Sequence, residues 1–196
     1  TEHYAPTICS LGDWSHANSV KYLEDYLYQG TLYNALLLNV RNLDTFYVID
    51  HATGEVLWSC GEHGTVGPAP GEEPLFDWAH EADMLPNGDV ILYNNNAHDT
   101  TGHSEALVVR IDHDTGIAHR GWTYTEPHFD SWGGDADRLP NGNTLLTNVS
   151  NGKLIEVNGD GEKVWELAMR HRLLPRVTTL YTVYKMVRVP EDRAPF

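Results

Sequence analysis

Two short stretches share a frame and a histidine. "DWSHANSV" carries His16 three residues after Asp13, and "DWAHEADML" carries His80 three residues after Asp77. A third stretch, "SWGGDADRL", keeps the Trp but puts Gly134 where the histidine would stand. Positions that keep a repeat hold the fold; positions that break it are freer to carry function. Arg41, which follows the apolar run "ALLLNV", is a third such position, with Asn96 and Ser150 near the corresponding places in the other copies. Two imidazoles and a guanidinium suit an oxyanion. Arg presents a planar fork of donors to a tetrahedral anion. Neutral His is a nucleophile or base near pH 7, and protonated His is an acid.

These residues ride on a repeated unit. The frame W-x-x-x-A-D-x-L-P-N-G followed by an apolar run closing on Asn occurs at Trp78–Asn94 and again at Trp132–Asn148. Pro-Asn-Gly at 86–88 and 140–142 fixes φ at Pro and allows positive φ at Asn-Gly, so each is a tight turn. "HATGE", "HDTG" and "GDGE" are further turns. The segments between are β-branched or aromatic, as at Thr45–Ile49 and Leu107–Ile111, and no stretch has helical periodicity. Short strands, Gly turns and a period of roughly 50 residues predict four-stranded antiparallel blades of a β-propeller. The units run about 14–58, 76–124 and 130–169, and the tail 171–196 holds one or two more strands. The whole of 1–196 is then a single propeller domain or part of one.

Three units are too few to close a ring of about four to eight blades. Either the terminal segments build a fourth blade, or other chain completes the ring; the second is the expectation. An open β-sandwich is the alternative. In a propeller, His16 and His80 fall near the start of inner strands, beside the central channel.

At 196 residues the chain has room for one domain with a substantial core, and 41% apolar with 21% charged residues is ordinary for a globular protein. The net charge of −15 argues against nucleic acid as a partner, since phosphate binding needs a basic surface. A small anion is still compatible, because a few cations dominate a pocket locally. No apolar run reaches the ~18 residues of a membrane helix. No signal peptide opens the chain, which begins at Thr1, so a processed product or a fragment is expected.

Most of the 11 histidines need no function. His51, His113 and His119 fall in or beside hairpin turns, and His98 and His103 on a polar loop. No pair has the spacing of a metal site, so no metal is expected. Trp14, Trp78 and Trp132 either pack the blades or hold aryl rings. Cys9 and Cys60 are too few for a disulfide framework and are either a single pair or two buried thiols. Asn148-Val149-Ser150 is a glycosylation sequon.

W-x-H-x-N-S at 14–19, Arg41, W-x-H at 78–80 and the repeated L-P-N-G with terminal Asn together resemble the arylsulfotransferase family of bacterial and archaeal propeller enzymes. The likeness covers about 14–169, and "YKMVRV" in the tail is similar to the family's ending. It implies a six-bladed ring in the periplasm or outside the cell. It also implies transfer of a sulfuryl group from a phenolic sulfate ester to a phenol, with no nucleotide sulfate donor and no cofactor. His80 matches the transiently sulfated nucleophile. His16 and Arg41 match residues that bind sulfuryl oxygens and assist the leaving phenolate, and Asn18 lies in the same motif as a further substrate contact. There are two departures. The family's additional His from an earlier blade has no counterpart here, and Glu105 stands where the family often has Arg. The competing reading is a non-catalytic extracellular propeller that binds or assembles with partner chains through unpaired edges.

Overall fold

The structure is a computed structural model describing residues 12–98, 102–174, 177–180 and 182–189. Fourteen strands account for almost all of its regular structure. The first sheet comprises β1 (Ala17–Tyr28), β2 (Thr31–Val40), β3 (Thr45–Asp50) and β4 (Val56–Gly61). The second comprises β5 (His80–Met84), β6 (Val90–Asn94), β7 (Glu105–Asp112) and β8 (Ile117–Thr125). The third comprises β9 (Asp135–Arg138), β10 (Thr144–Asn148), β11 (Lys153–Val157) and β12 (Lys163–Ala168). Each is an antiparallel meander whose strands pair in chain order. A hairpin of β13 (Arg170–Leu174) and β14 (Val177–Leu180) follows. The expected four-stranded antiparallel sheets are thus present, three in succession, over 17–61, 80–125 and 135–168.

The repeated turn is the same down to its hydrogen bonds. Leu85 and Asp89 close the first, with Gly88 at φ 88° donating to the Leu85 carbonyl at 2.9 Å. Leu139 and Asn143 close the second, with Gly142 at φ 86° donating to the Leu139 carbonyl at 2.9 Å. In each, the Asn side chain accepts from the backbone two residues on. Positive φ costs Gly nothing, which is why the turn ends on it.

Period-two alternation decides what faces what. On β2, Ala35, Leu37 and Asn39 are buried while Leu36 and Leu38 are only half-buried. With Phe46, Val48, Trp58 and Cys60, Ala35 and Leu37 form a core against Val90, Leu92, Leu107 and Val109 of the second sheet. Strand β6 is apolar at consecutive positions because the second sheet lies between two others. Val90 and Leu92 join that core, whereas Ile91 and Tyr93 join a second core with Ala136, Leu146, Ile155 and Val157 of the third sheet. The opening strands β1, β5 and β9 are neighbours across the three sheets.

Residues 182–189 pack along the third sheet without joining one. Lys185 pairs with Glu81 and stands 4.0 Å from Asp135, and Arg188 bonds Glu156 at 3.2 Å. No helix among the described residues is long and apolar enough to cross a membrane. Cys60 is fully buried, and burial pushes its thiol up to about 12. Cys9, and with it the question of pairing, lies outside the described residues. Asn148 of the sequon is also fully buried.

Candidate active site

His16 immediately precedes β1, and His80 opens β5. Both lie in strained local backbone: His16 has φ 47°, and Trp78 and Glu81 flank His80 at φ 54° and 51°. The His80–Asp83 stretch carries a register irregularity against β6, so the strand is re-aimed where the imidazole leaves it. The structure brings the two imidazoles together, edge to face with ring centroids 6.5 Å apart.

Arg41 enters the same place from the end of β2, in a single 3-10 turn over Arg41–Leu43. Its N–H donates to the His16 carbonyl at 3.3 Å, and Asn42 N–H to the Ser15 carbonyl at 3.2 Å. The turn is therefore laced to the segment that carries His16. The guanidinium stacks on the Trp78 indole, 3.6 Å from the ring centroid. Its Nε is buried without a hydrogen-bond partner among the described residues, an unspent donor within the set. His16 Nδ1 lies 2.5 Å from Asp13 Oδ2, and its side chain is 37% exposed.

His80 is only 2% exposed. Burial lowers it to about 4, with the nearby Arg41 and His16 charges acting in the same direction. It is therefore a neutral imidazole at pH 7. Its Nδ1 faces Asn95 Oδ1 at 2.7 Å and the Trp78 carbonyl at 3.2 Å, and Gly133 N–H donates to Nε2 at 3.2 Å. Asn18 donates to the Ala79 carbonyl at 2.9 Å and accepts from Asn39 at 2.7 Å, and Asn39 also donates to Ala79 at 2.6 Å. The peptide preceding His80 is thus held by two amides from the first sheet. Asn18 stands beside the set with its amide engaged on the backbone.

Several neighbours were not legible as site residues. Asn95 follows β6 within a run of three Asn, and that run is the only signal it gave. Gly133 reaches His80 from 53 residues away. Tyr184 packs against Gly133 and tilts over Trp132, with ring centroids 6.3 Å apart; burial raises its phenol, and the Arg41 charge opposes that rise. Trp14 and Trp132 are 57% and 45% exposed, so they are not sheet packing. His98, expected to be an idle loop residue, pairs with Asp77 at 2.8 Å and meets the Trp78 edge at 5.1 Å between centroids. His113, expected to be an idle turn residue, packs on Trp58 of the first sheet at 4.7 Å between centroids. Glu105 is answered by Arg120 at 2.6 Å and by Asn94 at 2.8 Å. It lines an open cleft of about 810 Å³ with Asp44, Glu62, Asp77 and His98.

The fold and this set define an all-β repeat protein with a neutral buried imidazole beside a guanidinium. The family model described as Arylsulfotransferase (ASST) matches residues 10–170. The chain belongs to the arylsulfotransferase family. A crystal structure of a protein of unknown function from Bacteroides caccae is similar at 14% identity and a TM-score of 0.42. The match covers 68% of this chain and 41% of that one, so the chain spans less than half of that protein's length. No curated protein matches.

Proposed function

We propose that this chain carries the sulfuryl-transfer site of an aryl-sulfate sulfotransferase, with His80 as the nucleophile. The observation that carries the reading is the neutral imidazole of His80 beside Arg41 and His16. Sulfuryl transfer resembles phosphoryl transfer, with a loose transition state and charge spread over peripheral oxygens. The work of the site is positioning and charge stabilisation.

In this mechanism His80 Nε2 attacks the sulfur of a phenolic sulfate ester. The S–O bond to the aryl group breaks, and the departing phenolate takes a proton from protonated His16. Arg41 binds the sulfuryl oxygens through its in-plane N–H donors, which stacking on Trp78 does not use, and Asn18 offers its second amide proton to the same group. The second half reverses these steps. His16 removes the proton of the acceptor phenol, the phenol oxygen attacks sulfur, the N–S bond breaks and neutral His80 returns. Attack requires the Gly133 N–H to leave Nε2, since both need the same lone pair. The exposed Trp14, two residues before His16, and Trp132, which precedes Gly133, are suited to hold aryl rings.

The three sheets are read as blades of a six-bladed ring whose remainder is other protein chain, working in the periplasm or outside the cell. The uncovered faces support this. Val20, Tyr22, Leu27 and Leu32 on the first sheet are 55–64% exposed, and Val164, Trp165 and Leu167 on β12 are 43–53% exposed. The same faces favour the second reading, a non-catalytic propeller that binds partner chains. Brief exposure to a nitrophenyl sulfate followed by mass spectrometry separates the two. A labile sulfuryl adduct on the His80 peptide supports transfer, and undiminished turnover in His80→Ala removes it.

A further inference from the structure

Asn95 is fully buried, and its amide makes three well-formed hydrogen bonds. Its Nδ2 donates to the Asp130 carbonyl at 2.8 Å and the Gly133 carbonyl at 2.9 Å. Those two bonds use both amide protons, so Oδ1 is the atom turned to His80 Nδ1 at 2.7 Å. An amide oxygen only accepts, so the imidazole proton must sit on Nδ1. The Trp78 carbonyl, 3.2 Å from the same nitrogen, demands the same proton. Nε2 is left with its lone pair, and Gly133 N–H donates to it.

We propose that Asn95 is a positioning residue that holds His80 as the Nδ1–H tautomer and presents Nε2 as the reacting atom. Through the Gly133 carbonyl it also fixes the residue whose N–H covers Nε2 at rest. The meaning for turnover rests on the sulfuryl-transfer reading above, whereas the tautomer follows from the hydrogen bonds alone.

The choice of an amide has a chemical reason. A carboxylate at this place would also accept from Nδ1–H, but its charge would favour the imidazolium, which has no lone pair to attack with. It would also lack the donors that hold Asp130 and Gly133. The charged and titratable neighbours felt at the ring, Arg41 and His16, both oppose protonation. Asn39 makes the comparison within the chain. It holds the Ala79 carbonyl, just before His80, as Asn95 holds the Gly133 carbonyl, just before Gly134. Asn95 alone adds a bond to an imidazole.

The test is long-range proton–nitrogen NMR on the full chain labelled at histidine, with His80 identified by its loss in His80→Gln. The wild type should show one neutral Nδ1–H tautomer from pH 7 down to near pH 4. In Asn95→Asp the His80 titration should rise by more than one pH unit. In Asn95→Ala the two tautomers should mix. Where donor turnover is measurable, kcat in Asn95→Ala should fall about tenfold or more while KM changes little. The acid limb of Asn95→Asp should follow the spectroscopic titration. An Nε2–H tautomer in the wild type overturns the proposal, as does wild-type tautomer and titration in a folded Asn95→Ala. If Asn95→Ala does not fold, the wild-type and Asn95→Asp spectra decide. A chain that shows the expected tautomer yet never accepts a sulfuryl group sinks the transfer reading and leaves the tautomer assignment standing.

Discussion

The ring of Tyr93 fills the space that a side chain at Gly134 would need. A Cβ at 134 would lie 2.2 Å from that ring, and the backbone there has φ 110°. Tyr93 cannot easily give way, because its hydroxyl donates to the buried Asp130 at 3.0 Å. The third copy of the frame therefore lacks a histidine for a packing reason. Its site position is occupied by an aromatic ring from the sheet before it.

Gly134→Ala should accordingly destabilise the chain by about 2–4 kcal/mol, through backbone strain and overpacking together. Urea unfolding measures it. A change below about 0.5 kcal/mol would mean that Tyr93 swings aside freely.

Arg41→Lys keeps a positive charge but loses the planar fork and much of the stacking on Trp78. If the set transfers sulfate, turnover should fall roughly 10²–10³-fold. His113→Gln, remote from the set, should leave turnover near wild type while lowering thermal stability through lost packing on Trp58. Equal turnover in Arg41→Lys and wild type would exclude a bidentate clamp.

Asp135 offers a test of linkage. Burial pushes its carboxyl up to about 7, and neither oxygen has a hydrogen-bond partner among the described residues. The folded state keeps a proton that the unfolded chain releases near pH 4. Its contribution favours folding at low pH and is lost as pH rises through about 7. Glu126, also raised to about 7, acts in the same direction. His80 acts in the opposite sense, because it is neutral when folded. Its contribution is full above the ordinary histidine value and is lost as pH falls through about 4. Asp135→Asn should therefore stabilise at pH 8 by roughly 1–3 kcal/mol and by much less at pH 4.5. Equal effects at both pH values would show that the carboxyl is not perturbed.

Folded protein made in glycosylating cells should carry no glycan at Asn148, since the fold buries that amide completely. A glycan at 148 on folded protein, seen by peptide mapping, would contradict that burial.

The turns and sheets were legible because their chemistry is local. Pro86-Asn87-Gly88 specifies its own hairpin, and the alternation on β2 announces its buried face. His16, His80 and Arg41 were legible because they break a frame that is otherwise kept. What was not legible is the packing between sheets. Asn95 reaches Asp130 and Gly133 across 35 and 38 residues, and Tyr184 arrives from the tail. His113 looks like a turn residue until Trp58 of another sheet lands beside it. No local pattern encodes which sheet lies next to which, so these partners emerge only when the sheets stack.

The amides at the ends of β2 and β6 carry a consequence for how such a chain can change. Each copy supplies the clamp for the copy that follows: Asn39 grips Ala79, and Asn95 grips Gly133. A single unit exchanged would carry His80 and Asn95 together, but would take the amide that holds Ala79 from whatever unit precedes it. The contacts around His80 therefore belong to a span that runs from the second strand of one repeat to just past the second strand of the next, and a cut between the two repeats parts Ala79 from Asn39.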